Sequence, residues 1–344
     1  MTSFPTSTPS DISPQVLEKL AASDKLLLPN VYNLATTAGA SQGEPIMYPR
    51  AFRYHRARSL GQASSLLAEL GEEAKVLAGG QSLIPLMKLR LASPGHLVDL
   101  NFVPGLSYVK QDGGEIRSGA LTRHAEIESS PVAQQIPILY DCASGIADVQ
   151  VRNRGTLGGS LAEADPSGDW APVLLTLSTA VRCVGPKGER TIPLSKFFLD
   201  AYTTALGPAE LVSEVVIQIP PKNSGGAYLA FKRCAPVYST ASVAVHLTVE
   251  DKDICKDARI VLGAVGLTAI RAAQAEAALR GHAFTKKSIE AAAEAARAAA
   301  EPQSDRRGSR EYKRGLVGAL VKRAIKIALQ RSRGERVEVS HLYV

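Results

Sequence analysis

The sequence predicts an α+β protein built as two units in series. Three features carry that expectation. From about residue 46 to residue 222, short apolar or alternating segments interleave with helical ones. Pro220-Pro221-Lys222-Asn223-Ser224-Gly225-Gly226 then marks a linker by its turn composition. Beyond it come three strand-like segments and then two or three helices, the order expected of an antiparallel sheet covered on one side. At 344 residues the chain can bury a large core and divide into two or three domains.

Residues 1–45 are rich in Ser, Thr, Pro and Ala, and are expected to form a mobile or partner-docking extension with one short amphipathic helix over Ser13–Leu28. The first unit spans 46–222, in lobes of about 46–102 and 103–222. In the first lobe Arg58–Leu70 reads as a helix and Ala74–Ala78 and Leu97–Leu100 as strands. In the second, strands are expected near Glu115–Ser118, Val181–Val184 and Val215–Ile219, with a helix near Trp170–Leu177. The C-terminal unit spans 227–333, with strands over Ala227–Arg233, Ser242–Val249 and Ala258–Val265. Val317, Leu320, Val321, Ala324, Ile325, Ala328 and Leu329 then recur at helical spacing.

The chemistry is concentrated in two glycine turns. Val76-Leu77-Ala78-Gly79-Gly80-Gln81-Ser82-Leu83 runs a strand into paired glycines and then into an apolar segment, Leu83–Leu91, read as a buried helix with Ser82 as its N-cap. Arg154-Gly155-Thr156-Leu157-Gly158-Gly159-Ser160 repeats the pattern. Such turns present backbone N–H groups to an anion, and glycine lets that anion come close. Neither turn fits G-x-G-x-x-G or G-x-x-x-x-G-K-[ST], so Rossmann and P-loop sites are disfavoured. A pair of turns suggests one ligand with two phosphates; tight strand-to-helix turns without a ligand are the alternative.

Ala78–Leu83, Leu97-Val98-Asp99-Leu100, Gly119-Ala120-Leu121-Thr122 and Arg152–Leu161, taken in order, resemble the FAD-binding subunits of the molybdenum hydroxylases, of the carbon monoxide dehydrogenase medium-subunit type. Ala164-Asp165-Pro166-Ser167-Gly168-Asp169, Phe197–Leu206, Phe231-Lys232-Arg233 and Glu311-Tyr312-Lys313-Arg314 continue the likeness, which runs from about Pro49 to Arg331. The resemblance implies a two-lobed FAD-binding domain followed by a C-terminal α+β domain. It implies an FAD pyrophosphate on Ala78, Gly79, Gly80, Gln81, Ser82 and Leu83, with Thr122, Thr156, Gly158, Gly159 and Ser160 on the opposite wall. Asp169 matches a ribose-binding acid, and Tyr238 an aromatic beside the isoalloxazine, here without the acidic residue often found just ahead of it. Lys232 matches a cation near the flavin ring, with a solvated strand lysine as the alternative.

The resemblance also implies partners: a large subunit carrying the molybdenum cofactor, and a small subunit with two [2Fe–2S] clusters. Electrons would reach a terminal acceptor, NAD, a quinone or dioxygen, through the flavin, with no catalytic side chain required of this chain. A self-contained FAD-dependent oxidoreductase and a non-enzymatic nucleotide-binding scaffold are the rival readings.

Cys142, Cys183, Cys234 and Cys255 lie far apart and the six histidines are dispersed, so no metal site is expected. Asp165 and Asp169, with Pro166 and Gly168 between them, are read as shaping a loop rather than as paired acids. The net charge of +7 is concentrated after Arg306, on the face of the last helix opposite its apolar stripe. A solvated face or subunit contact is expected there, not a nucleic-acid or membrane surface. No apolar run approaches a membrane span and no secretory signal is visible, which points to the cytoplasm.

Overall fold

The computed structural model describes residues 26–27, 48–234, 237–250, 253–339 and 342–343. Most of the Ser13–Leu28 helix expectation, and of the 1–45 extension, lies outside them; Leu26–Leu27 are extended, as strand β1. The first lobe contains β2 (Arg53–Arg56), α1 (Leu60–Leu70), β3 (Ala74–Leu77), α2 (Leu83–Lys88) and β4 (His96–Asp99). Its sheet runs β1-β2-β4-β3, with β2, β4 and β3 parallel. The helix α1 starts where Ser59 Oγ accepts from Gln62 N, and ends at Gly71, whose φ is 59°.

The second lobe begins with β5 (Val109–Asp112) and β6 (Glu115–Gly119), followed by the short helices α3 (His124–Glu128), α4 (Pro131–Gln135), α5 (Pro137–Gly145), α6 (Val149–Arg152), α7 (Leu157–Glu163) and α8 (Trp170–Thr176). Then come β7 (Thr179–Gly185), β8 (Gly188–Pro193), a small pair β9 (Phe198–Asp200) and β10 (Thr203–Thr204), and β11 (Leu211–Gln218). The five-stranded sheet β5-β6-β11-β7-β8 is antiparallel throughout.

The C-terminal unit is made of β12 (Ser224–Lys232), β13 (Ala241–Glu250), β14 (Ile254–Gly263), β15 (Ile270–Arg271), α9 (Ala273–Ala277), α10 (Lys286–Ala299), α11 (Arg310–Ser332) and β16 (Leu342–Tyr343). Strands β12 to β15 pair antiparallel, and β16 joins β12 in parallel. The predicted α+β architecture is thus present. The linker expectation fails at its end, since Ser224–Gly226 already pair with β13. Those two glycines serve packing: a Cβ on Gly225 would collide with the Ala328 carbonyl oxygen and the Ser332 amide of α11. Gly225→Ala is therefore expected to cost about 1–3 kcal/mol of stability, read as a lower urea midpoint at unchanged m-value.

Strand β12 is buried on both faces, which explains its uninterrupted apolar run. Tyr228 and Ala230 belong to the core of the second lobe, around Trp170, Leu174 and Phe197. Ala227 and Leu229 face the other way, into the core beneath α10 and α11 with Val317, Val321 and Ile325. This shared strand sets the C-terminal unit against the lobe that carries the second glycine turn. Two basic residues of α11 depart from the solvated-face expectation: Lys313 is buried against Asp305 at 2.8 Å, and Arg331 is buried against Asp141.

Candidate functional site

Strand β3 delivers the first glycine turn to the carboxyl edge of the small parallel sheet. The Leu77 carbonyl accepts from Leu100 N at 3.0 Å, and the Ala78 carbonyl from Asn101 Nδ2 at 2.9 Å. Asn101 is itself fixed, because Asp99 Oδ1 accepts from both its backbone N and its side-chain amide, at 2.8 and 2.6 Å. Arg123 completes the brace with one guanidinium nitrogen on Asn101 Oδ1 at 2.6 Å and the other on the Arg154 carbonyl. Arg123 thereby joins the two glycine turns. Burial, then the nearby Arg154 charge, lowers its pKa.

The turns touch directly. A Cβ on Gly79 would overlap the Arg154 carbonyl oxygen and lie 2.8 Å from Gly155 Cα, and one on Gly159 would lie 3.7 Å from Ala78 Cβ. Gly80 has φ 73°, in the left-handed region. Among the described residues, no acceptor receives the backbone N–H groups of residues 79–83. Five successive unpaired amides on a glycine turn are a donor set suited to a pyrophosphate. Ser82 stands at the N-cap of α2 as expected, although its side chain makes no capping hydrogen bond; the expected buried helix running to Leu91 is instead an exposed six-residue helix. Only Met87 is buried, while Ile84, Leu89 and Leu91 are exposed.

The second turn works differently from the expected anion-binding pattern. Its amides are already used: Leu157 N donates to Thr122 O at 3.0 Å, Gly158 N to Ala120 O at 2.9 Å, Gly159 N to Thr156 Oγ1 at 3.2 Å and Ser160 N to Thr156 O at 3.0 Å. Its glycines exist for close packing, since a Cβ on Gly158 would sit 2.7 Å from Ala120 Cβ. Thr122 is fully buried, exchanging hydrogen bonds with the Tyr108 backbone at 2.8 and 3.0 Å. Its hydroxyl is committed to the scaffold. Gln81 is exposed, with Nε2 on the Gly79 carbonyl at 3.3 Å. Ser160 lines a small pocket with Asp165, Pro166 and Phe198.

Asp169 and Lys232 are brought together as a buried ion pair, while Tyr238 is not joined to them. Asp169 is buried and accepts from the Tyr228 hydroxyl at 2.5 Å and from Ser239 Oγ at 3.2 Å. Lys232 Nζ lies 3.5 Å from Asp169 Oδ2 and donates to the Gly145 carbonyl at 2.7 Å. With 1 % of its side chain exposed, Lys232 is not a solvated strand lysine. Tyr238 is half-exposed, with Arg307 5.9 Å from its ring centroid. Among the described residues no cluster of three or more His, Cys, Asp or Glu is placed to hold a metal.

Beneath the second turn lies a support absent from the sequence reading. Trp170 Nε1 donates to His124 Nδ1 at 3.1 Å, so the imidazole carries its proton on Nε2, against Gly155. Burial, reinforced by Arg123 and Arg152 and opposed by Asp169, lowers the His124 pKa from 6.5 to about 4. Between those values the unfolded chain takes up the proton and the folded one does not. The stabilisation is therefore complete above pH 6.5 and is lost as pH falls to and through 4, by about 3 kcal/mol. Unfolding of His124→Gln across that interval should show a shallower pH slope than wild type, and an unchanged slope would contradict the assignment.

Comparison with known proteins follows the same division. A family profile described as the FAD binding domain in molybdopterin dehydrogenase matches residues 50–221, and one described as the CO dehydrogenase flavoprotein C-terminal domain matches 226–328. The carbon monoxide dehydrogenase medium chain of Hydrogenophaga pseudoflava is 40% identical over 286 residues, 83% of this chain and 99% of that one. A subunit of the 6-hydroxypseudooxynicotine dehydrogenase complex of Paenarthrobacter nicotinovorans is 38% identical over 296 residues, covering 86% and 100%. A solved carbon monoxide dehydrogenase chain from Hydrogenophaga pseudoflava superimposes with a TM-score of 0.81 at 42% identity, covering 83% of this chain and 99% of that one.

Proposed function

Since this chain belongs to the FAD-binding medium subunits of the molybdenum hydroxylases, we infer that it holds FAD on its first glycine turn and relays electrons within a larger enzyme. FAD, when bound, supplies the exchange between one-electron carriers and a two-electron acceptor. The observation that carries the binding site is the run of unpaired amides from Gly79 to Leu83. In this reading Ala78 to Leu83 take the pyrophosphate, with Gln81 and Ser82 as further side-chain donors. The second turn, through Thr156, Gly158, Gly159 and Ser160, forms the opposing wall chiefly by shape, and Thr122 supports it from behind. Tyr238 lies against the isoalloxazine.

Lys232 contributes a buried positive charge, balanced by Asp169, at the flavin end. A cation there favours the anionic reduced flavin and raises its potential. Asp169, expected from the resemblance to bind the ribose of the adenosine half, is engaged by Lys232, Tyr228 and Ser239, so in this reading it serves as the counter-charge of Lys232 and not as a ribose contact. The FAD-binding unit is taken as residues 46–222 and the C-terminal unit as 227–333.

The partners of this reading are a large molybdenum-cofactor subunit and a small subunit with two [2Fe–2S] clusters; the acceptor is NAD, a quinone or dioxygen. Among the described residues no helix is long and apolar enough to cross a membrane. The four free cysteines suit a reducing cytoplasm. Co-expression with the two partner subunits, followed by anaerobic mixing with substrate, tests the relay. Flavin bleaching is expected in the assembled complex and not in the isolated chain. Bleaching of the isolated chain by substrate would favour a self-contained oxidoreductase.

A further inference from the structure

The two glycine turns pack against each other, but among the described residues no hydrogen bond runs directly from one to the other. Packing contact resists closer approach more steeply than it resists separation. What spans the turns is a pair of side chains, one from each lobe. Asn101, just past β4, uses every polar atom of its amide: Nδ2 donates to the Ala78 carbonyl at 2.9 Å and to Asp99 Oδ1 at 2.6 Å, while Oδ1 accepts from Arg123 at 2.6 Å. Asp99 is buried, and its other oxygen accepts from the Tyr54 hydroxyl on β2. Asn101 is thus anchored to the first lobe and cannot turn without losing all three bonds.

Arg123 reaches across from the start of α3. One terminal nitrogen takes Asn101 Oδ1 and the other the Arg154 carbonyl, the same oxygen against which Gly79 packs. Its backbone is fixed as well, since Arg123 N donates to Glu126 Oε2 at 2.7 Å and Arg123 bridges Thr156 in antiparallel register. Both oxygens held by the guanidinium are neutral, and Arg123 forms no ion pair among the described residues. Asp99 and Glu126, the carboxylates in its neighbourhood, are bonded elsewhere: Asp99 to Asn101 and Tyr54, Glu126 to Ser107 Oγ at 2.5 Å. The planar fork therefore ties the lobes together while its charge stays uncompensated, one packed carbonyl away from Gly79.

We propose that Asn101 and Arg123 are positioning residues that lock the gap between the glycine turns, so that the amides of residues 79–83 meet an FAD pyrophosphate without rearranging. The proposal rests on the FAD reading above and gives it a source of affinity outside the turns. Donors fixed before binding need no ordering when the anion arrives. The fork matters as well as the charge, because a lysine ammonium is a single point and cannot reproduce the planar span between the two oxygens.

The test titrates the FAD-free full chain with FAD, following flavin emission, for wild type, Arg123→Lys, Asn101→Ala and the double variant, with thermal melts of the same FAD-free chains. Each single variant should weaken FAD binding about tenfold, roughly the worth of one charge-assisted hydrogen bond, while its melting midpoint stays near that of wild type. The double variant should lose little beyond the weaker single variant, because the two residues act as one unit. Wild-type affinity in either single variant, or losses that multiply in the double variant, would overturn the proposal while leaving FAD binding intact. So would weakened binding accompanied by a collapsed melt in both single variants, which would assign the pair to general stability. A wild-type chain that takes up no FAD would overturn this proposal and the FAD reading together.

Discussion

Gly79→Val is expected to give a folded chain that purifies without FAD and fails to take it up on addition. The valine Cβ has no place to go, because the Arg154 carbonyl oxygen and Gly155 Cα occupy its position. Neither neighbour is a flexible side chain that can swing aside. Arg154 O is held by Arg123, and Gly155 by His124 behind it. The first turn must therefore move away from the second, taking the amides of residues 79–83 out of register with a pyrophosphate. Overpacking of this kind costs about 1–3 kcal/mol, a strain the separate cores around Phe197 and Val321 should survive. Gly114→Ala is the matched control, since nothing lies within 4 Å of its would-be Cβ. Absorbance at the flavin band and a thermal melt separate loss of cofactor from loss of fold. Full FAD content in Gly79→Val would show that the turns do not hold it.

The second large effect falls on stability. Asp141 and Arg331 form a bidentate pair at 2.6 and 2.9 Å with side chains 1% and 5% exposed. Asp141 also accepts from Tyr228 N at 3.1 Å, and Arg331 donates to the carbonyls of Gly226 and Val337, each at 2.7 Å. The pair ties α5, β12 and the end of α11 together. Asp141→Ala leaves a guanidinium buried without its counter-charge and is expected to cost about 3–5 kcal/mol. Replacing both partners with apolar residues, as in Asp141→Leu with Arg331→Met, should recover much of that loss. Chemical denaturation of the two single variants and the double variant measures the coupling. Equal losses in the double and single variants would show that packing, rather than the unpaired charge, dominates.

The parts of this architecture that were legible in sequence are those with strong local periodicity. The α11 stripe from Val317 to Ala328 is buried as its spacing implies, and the apolar runs of β12, β13 and β14 are strands. What failed depended on backbone turns and charge partners that the apolar pattern does not encode. Leu89 and Leu91 extend an apolar run that local reading buries, but the turn at Arg90, with φ 57°, ends the helix at the surface. Lys313 and Arg331 read as solvated because their carboxylates, Asp305 and Asp141, lie elsewhere in the chain.

The same limit applies to the site. Gly-Gly patterns located both turns, but not which of them keeps unpaired amides. That distinction is made by the carbonyls of Ala120 and Thr122, which consume the amides of the second turn. Asn101 and Arg123 brace the first turn without any motif of their own, although each directly follows a landmark stretch, Leu97–Leu100 and Gly119–Thr122. His124 looked like one of six dispersed histidines until Trp170 and Gly155 were found on either side of it.

The most direct test is to purify the chain, denature it, and identify any released chromophore by absorbance and mass, alongside iron and molybdenum analysis. FAD at one per chain, without iron or molybdenum, is the expected result. A chain that releases no flavin, and binds none when FAD is added, would contradict the assignment of the unpaired amides at Gly79–Leu83 to a flavin pyrophosphate.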